Sequence, residues 1–138
     1  MIQQITVFLE NKEGRLSAMC QVLADANIDM KALTIAETTD YGLIRIVADK
    51  PQEALEALKA ADYRAICTDV LAVSLADKPG TLAALLAFLD SMDVNIEYGY
   101  CFSHDNVAID VLKVKDPAAT DVKLAAAGFT TIKQADLA

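Results

Sequence analysis

One offset constrains this chain more than any other feature: residues 66 positions apart match from one end to the other. Val7 pairs with Val73, Leu9 with Leu75, Lys12 with Lys78, Gly14 with Gly80 and Leu16 with Leu82. The same offset relates Leu23 to Leu89, Pro51 to Pro117, Leu58 to Leu124, Tyr63 to Phe129 and Ile66 to Ile132. Similarity by chance between Ala-rich stretches would not hold one register throughout, so the chain is a duplication. Its 138 residues divide into modules 1–69 and 70–138. A module this small has a marginal core of its own and sheet edges to cover, so the two modules are expected to pair.

Within each copy the hydrophobic period changes in a fixed order. Ile5–Leu9 and Leu71–Leu75 run apolar or alternate, as short strands do. A polar turn with glycine follows, Asn11-Lys12-Glu13-Gly14 or Asp77-Lys78-Pro79-Gly80. Leu16, Met19, Cys20, Leu23 and Ala24 then mark one face of a helix, and Leu82, Leu85, Leu86 and Leu89 repeat it. Second strands are read at Ile28–Ala36 and Val94–Phe102, hairpins at 38–42 and 103–106, and returning strands at Leu43–Ala48 and Val107–Val114. Over the returning strands an offset of 65 fits better, with Ile44-Arg45-Ile46 against Ile109-Asp110-Val111, which implies a one-residue loop or bulge difference. Pro51 and Pro117 open second helices at Gln52–Ala61 and Ala118–Ala127, with Asp116 as N-cap and Gly128 as stop. Last strands are expected at Tyr63–Thr68 and Phe129–Lys133. Each copy therefore reads βαββαβ: an α+β, ferredoxin-like module with an antiparallel four-stranded sheet and two helices on one face.

Composition narrows the function. A hydrophobic share of 54% against 23% charged excludes a disordered chain. A net charge of −8 repels phosphate backbones, which argues against nucleic acid. Cys20, Cys67 and Cys101 are an odd number with no CxxC pair, so neither a disulfide framework nor a zinc site is expected. Cys20 and Cys101 read as packing residues. His104 lies in the second hairpin as a surface residue without a second His, which leaves neither a metal cluster nor a triad. Met1–Ile5 lacks the basic-then-apolar pattern of a signal peptide, and the apolar stretches stop short of the roughly 18 residues of a membrane span. A cytoplasmic protein without metal or cofactor is expected.

The turn residues carry a resemblance. Asp77-Lys78-Pro79-Gly80-Thr81-Leu82 fits D-x-P-G-x-L in full, and Asn11-Lys12-Glu13-Gly14-Arg15-Leu16 fits it with Asn for Asp and Glu for Pro. The exits from the first helices, Ala26-Asn27-Ile28-Asp29-Met30 and Met92-Asp93-Val94-Asn95-Ile96, follow the same pattern. Strand, turn and exit together resemble the ACT domain of amino-acid-sensing proteins, twice over. That resemblance implies modules pairing side by side into an eight-stranded sheet. It also implies an amino acid bound where two modules meet, near the turn before the first helix. Most such modules are appendages of enzymes. No catalytic domain fits within 138 residues, which leaves binding, sensing in trans or storage; the expected partners are a metabolic enzyme in trans and a second copy in a homodimer.

A zwitterion needs donors for its carboxylate and acceptors for its ammonium. The start of a helix offers unpaired N–H groups and the positive end of a dipole, and glycine lets ligand atoms come close. The expected site is therefore Asn11, Glu13, Gly14, Arg15 and Leu16 in one copy, and Asp77, Pro79, Gly80, Thr81 and Leu82 in the other. Asp29 and Asn95, with Met30 and Ile96 beside them at the second strands, are the expected ammonium side; the resemblance implies that each site combines one copy's turn with the other copy's strand entry. Two other readings compete. An interaction module that has lost its ligand would not need both glycine turns, and a small ferredoxin-like enzyme lacks paired nucleophile and base.

Overall fold

The apolar alternation of the first strand and the return of proline after the third determine how each half is built. A computed structural model describes residues 1–37 and 41–138; the expected hairpin tip at 38–40 lies outside them. The first half runs β1 (Ile2–Glu10), α1 (Arg15–Asp25), β2 (Met30–Glu37), β3 (Tyr41–Ala48), α2 (Pro51–Ala60) and into β4 (Arg64–Leu75). The second continues from β4 through α3 (Thr81–Ser91), β5 (Tyr98–His104), β6 (Val107–Lys113) and α4 (Pro117–Ala126) to β7 (Thr130–Thr131). A short 3-10 helix covers Gln134–Leu137.

Two compact units result: Gln3–Thr68 with Leu137–Ala138, and Asp69–Asp136 with Met1–Ile2, here called the first and second modules. The first orders its strands β2-β3-β1-β4 and the second β7-β4-β6-β5, the same ferredoxin-like order twice. The expected last strand of one copy and first strand of the next are one strand of 12 residues, β4. Eight strand positions are thus filled by seven strands among the described residues. In the second module the amino group of Met1 donates to the carbonyl of Ile132 at 3.2 Å and lies 3.4 Å from Asp121 Oδ1.

Each core forms where strand alternation meets the helix stripe. In the first module Ile5, Val7 and Leu9 of β1 and Ile44, Ile46 and Ala48 of β3 bury against Met19, Leu23, Ala54 and Leu58. In the second, Leu71, Val73, Leu112 and Val114 bury against Leu85, Leu89 and Leu124, with the Phe88 and Phe129 rings 5.3 Å apart. Leu82, at the head of the expected stripe, stays 42% exposed.

The four α-helices among the described residues end alike. Asn27, Asp62, Asp93 and Gly128 each take positive φ just past the helix, at 57°, 67°, 56° and 92°. The next amide reaches back to the helix, as Ile28 N–H to Leu23 O at 3.0 Å and Val94 N–H to Leu89 O at 3.1 Å. This is the Schellman closure, with Ile28 in the same core cluster as Leu23 and Val94 packed against the cluster that holds Leu89. At the start of α4 the Asp116 side chain accepts from the Ala119 N–H at 3.2 Å, a cap typically contributing about 1 kcal/mol.

The expected one-residue slip between the copies is overturned. Val7 pairs with Ile44 across β1–β3, and Val73 pairs with Asp110 across β4–β6. The offset is 66 here too, so Asp110 corresponds to Ile44 and faces the helices, not to Arg45. Apolar neighbours on both sides of Asp110 made the shifted match look better, but strand pairing follows the backbone ladder. The one described register shift lies in β2, between Met30 and Ala32. The second-copy strand also begins later than expected, at Tyr98, leaving Val94–Glu97 outside it.

Candidate functional site

The two glycine turns have the same backbone. Gly14 sits at φ 83°, ψ −12° and Gly80 at φ 91°, ψ −11°, each at the N-cap position and neither helix capped by a side chain. This left-handed conformation strains any residue with a Cβ, which accounts for glycine at both positions. A Cβ there would meet nothing within 4 Å, so the space over each glycine is open. The N–H of Arg15 is turned back to Lys12 O at 3.3 Å, and that of Thr81 to Lys78 O at 3.5 Å. The next amides, of Leu16 and Ser17 and of Leu82 and Ala83, have no intrahelical acceptor, as in any first turn.

What braces the turns differs. In the second module the Thr81 hydroxyl donates to Ala76 O at 2.8 Å, with Lys78 O at 3.1 Å, and Pro79 restricts the backbone ahead of Gly80. In the first module Lys12 Nζ lies 2.9 Å from Glu10 Oε2, with Arg15 at 3.9 Å, all well exposed. The Lys12 hydrogen bond, then the charges of Lys12 and Arg15, hold the Glu10 carboxyl below its ordinary value. Asn11 and Glu13 are exposed in that turn, as Asp77 and Pro79 are in the other.

Within a module the strand starts lie far from these turns. Leu9 pairs with Gly42 at the turn end of the sheet, while Met30 pairs with Ala48 at the far end. Asp29 is bound there already: Lys31 Nζ donates to its Oδ2 at 2.7 Å, and its N–H donates to Asp49 Oδ1 at 3.0 Å. Asn95 is exposed, whereas Met30 and Ile96 are half-buried against their cores. The turn and strand start of one module therefore form no common site.

A further group lies where the sequence was read one residue out of register. Asp110 is 4% exposed, and its Oδ2 has no hydrogen-bond partner among the described residues. Its other oxygen accepts from the Cys101 thiol across the β5–β6 pair. Burial first, then the Asp110 carboxylate, pushes that thiol from its ordinary 9.0 up to about 11. Cys101 is exposed on its edge strand, not a packing residue, because among the described residues β5 pairs only with β6. His104 is half-buried, its Nε2 3.1 Å from Asp136 O. The strict 66-residue offset was the signal that would have found Asp110.

The family model described as an ACT domain pair matches residues 1–138. The chain belongs to the ACT domain pair family. Among solved structures it is similar to protein BT0572 from Bacteroides thetaiotaomicron, at 37% identity over 99% of this chain and 94% of that one, with a TM-score of 0.91. The fold is shared with the regulatory subunits of aspartate kinase from Thermus thermophilus and Thermus flavus. The first is 23% identical, over 91% and 92% of the chains, with a TM-score of 0.63. The second is 24% identical, over 87% and 85%, with a TM-score of 0.61. No curated protein sequence matches significantly. In this ACT pair no described helix is long and apolar enough to cross a membrane. Among the described residues, no group of three or more His, Cys, Asp or Glu side chains could hold a metal ion.

Proposed function

We propose that this ACT pair is a non-catalytic regulatory protein that binds a free amino acid and acts on a metabolic enzyme in trans. The observation that carries the reading is the repeated turn: two helices open behind left-handed glycines, with no side-chain cap and with open space over each glycine. Those amides and the helix dipole favour a carboxylate. Gly14, Arg15 and Leu16, and Gly80, Thr81 and Leu82, would hold it, with Asn11, Glu13, Asp77 and Pro79 shaping the turns. Asp29 and Asn95, beside Met30 and Ile96, are the strand-start acceptors for a site shared with another module. The regulatory subunits that share the fold supply the precedent for action on a separate enzyme.

One observation favours an added role in assembly. The edge strand β2, paired among the described residues only with β3, carries Leu33 at 39% and Ile35 at 56% exposure, apolar surface that suits a homodimer.

A thermal-shift screen against the twenty amino acids, with calorimetry on each hit, tests the proposal. A ligand at a hundredfold excess over its dissociation constant stabilises the fold by about 2.7 kcal/mol. For a chain of this size that is a rise on the order of 5–10 °C. No shift with any amino acid at millimolar concentration would leave the assembly role alone; consumption of the amino acid would indicate an enzyme.

A further inference from the structure

In the first module, a cavity of about 120 Å³ shows which positions converge beside the glycine turn. Leu9, Asn11, Arg15, Leu16, Ile35 and Ile44 line it, so β1, the α1 N-terminus and the β2–β3 pair all reach it. The second module has the same registers: Ile35 pairs with Ile44, and Cys101 pairs with Asp110. Leu75, Asp77, Leu82, Cys101 and Asp110 therefore take the positions of Leu9, Asn11, Leu16, Ile35 and Ile44. A hollow of about 650 Å³ opens beside these positions, with Asp77, Cys101 and Ala108 on its wall and Asp110 buried off that wall. The two apolar residues at the back of the first groove are thus replaced by a thiol and a carboxylate.

We propose that Asp110 accepts the alkylammonium group of an amino acid whose carboxylate rests on the first amides of α3. This rests on the amino-acid-binding reading and adds to it an acceptor from within the same module. A buried carboxylate with one oxygen unpaired is costly, and an apolar residue would fill the position, as Ile44 does. The cost is offset when a cation arrives. Only a thiol, a weak donor on an exposed residue, covers the other oxygen, so rotation of Cys101 uncovers the carboxylate to a stronger, charge-assisted donor. Ala108 pairs with Leu75 at the end of β4, and Asp110 lies two residues further along β6, about 7 Å from that rung. The first groove has Ile44 in that place and no such acceptor.

Calorimetric titration of the full chain with each of the twenty amino acids, in the wild type and in Asp110→Asn, tests this. Every amino acid that binds should lose at least about tenfold in affinity on Asp110→Asn, while the ligand-free melting temperature holds or rises. N-acetyl derivatives of the hits locate the amine. If the difference between the two proteins vanishes on acetylation, Asp110 holds the α-ammonium; if it persists, Asp110 holds a side-chain amine. Equal affinity in the two proteins overturns this inference and leaves amino-acid binding standing. Binding of no amino acid by the wild type overturns both. If Asp110→Asn does not fold, Cys101→Ala decides: affinity should hold or tighten, and a tenfold loss would overturn the role of Asp110.

Discussion

Asp110 occupies in the second module the place that Ile44 occupies in the first, each opposite the central valine of its neighbouring strand, Val73 or Val7. The two cores are thus copies with one difference of charge at the same rung. A carboxylate with an unpaired buried oxygen should destabilise the ligand-free fold. Asp110→Ile, which restores the first module's residue, should therefore stabilise it by about 1–3 kcal/mol. Urea unfolding checks this as a higher midpoint with an unchanged slope.

The glycine turns should not be equivalent in binding. Thr81 and Pro79 brace the second turn, whereas an exposed cluster of Glu10, Lys12 and Arg15 braces the first. Gly80→Val should therefore weaken amino-acid binding more than Gly14→Val, although both introduce left-handed strain of about 1–3 kcal/mol. Calorimetry on both variants, with circular dichroism confirming the fold, gives the order.

Alkaline pH should act on stability through Cys101. Its folded value of about 11 stands above the ordinary 9.0, so the folded state keeps a proton that the unfolded state loses. The contribution is complete below pH 9.0 and is lost as pH rises through about 11. Cys101→Ala should remove that part of the alkaline decline, read as melting temperature against pH. Alkylation of Cys101 at pH 8 should be slower than that of an ordinary thiol by on the order of a hundredfold, and Asp110→Asn should restore part of the rate.

The helix exits offer a stability test away from the site. Asp93 holds φ 56° at a position where Gly128 serves in α4. Asp93→Gly relieves that strain and should stabilise the fold by roughly 0.5–1 kcal/mol, set against the added freedom of the unfolded chain. Thermal unfolding would show it as a small upward shift, and a downward one would mean that the Asp93 side chain stabilises the exit.

The sequence alone determined the duplication, the βαββαβ order, the helix-opening prolines, the Asp116 cap and both glycine turns. These rest on local chemistry: a period of apolar side chains, a residue without Cβ at positive φ, a side chain bonding an amide three residues on. It determined far less where the signal was non-local. That the strands expected at Tyr63–Thr68 and Leu71–Leu75 are one continuous strand, Arg64–Leu75, depends on pairing partners distant in sequence. That Asp29 lies at the far end of its sheet from Gly14, and already binds Lys31, depends on the β-ladder and not on spacing. Asp110 is the plainest case. Flanked by Ile109 and Val111, it reads as the polar member of an alternating strand, and its neighbours invite a match one residue out. Only the pairing with Val73 turns it toward the helices, because side chains alternate faces residue by residue and a slip of one exchanges core for surface.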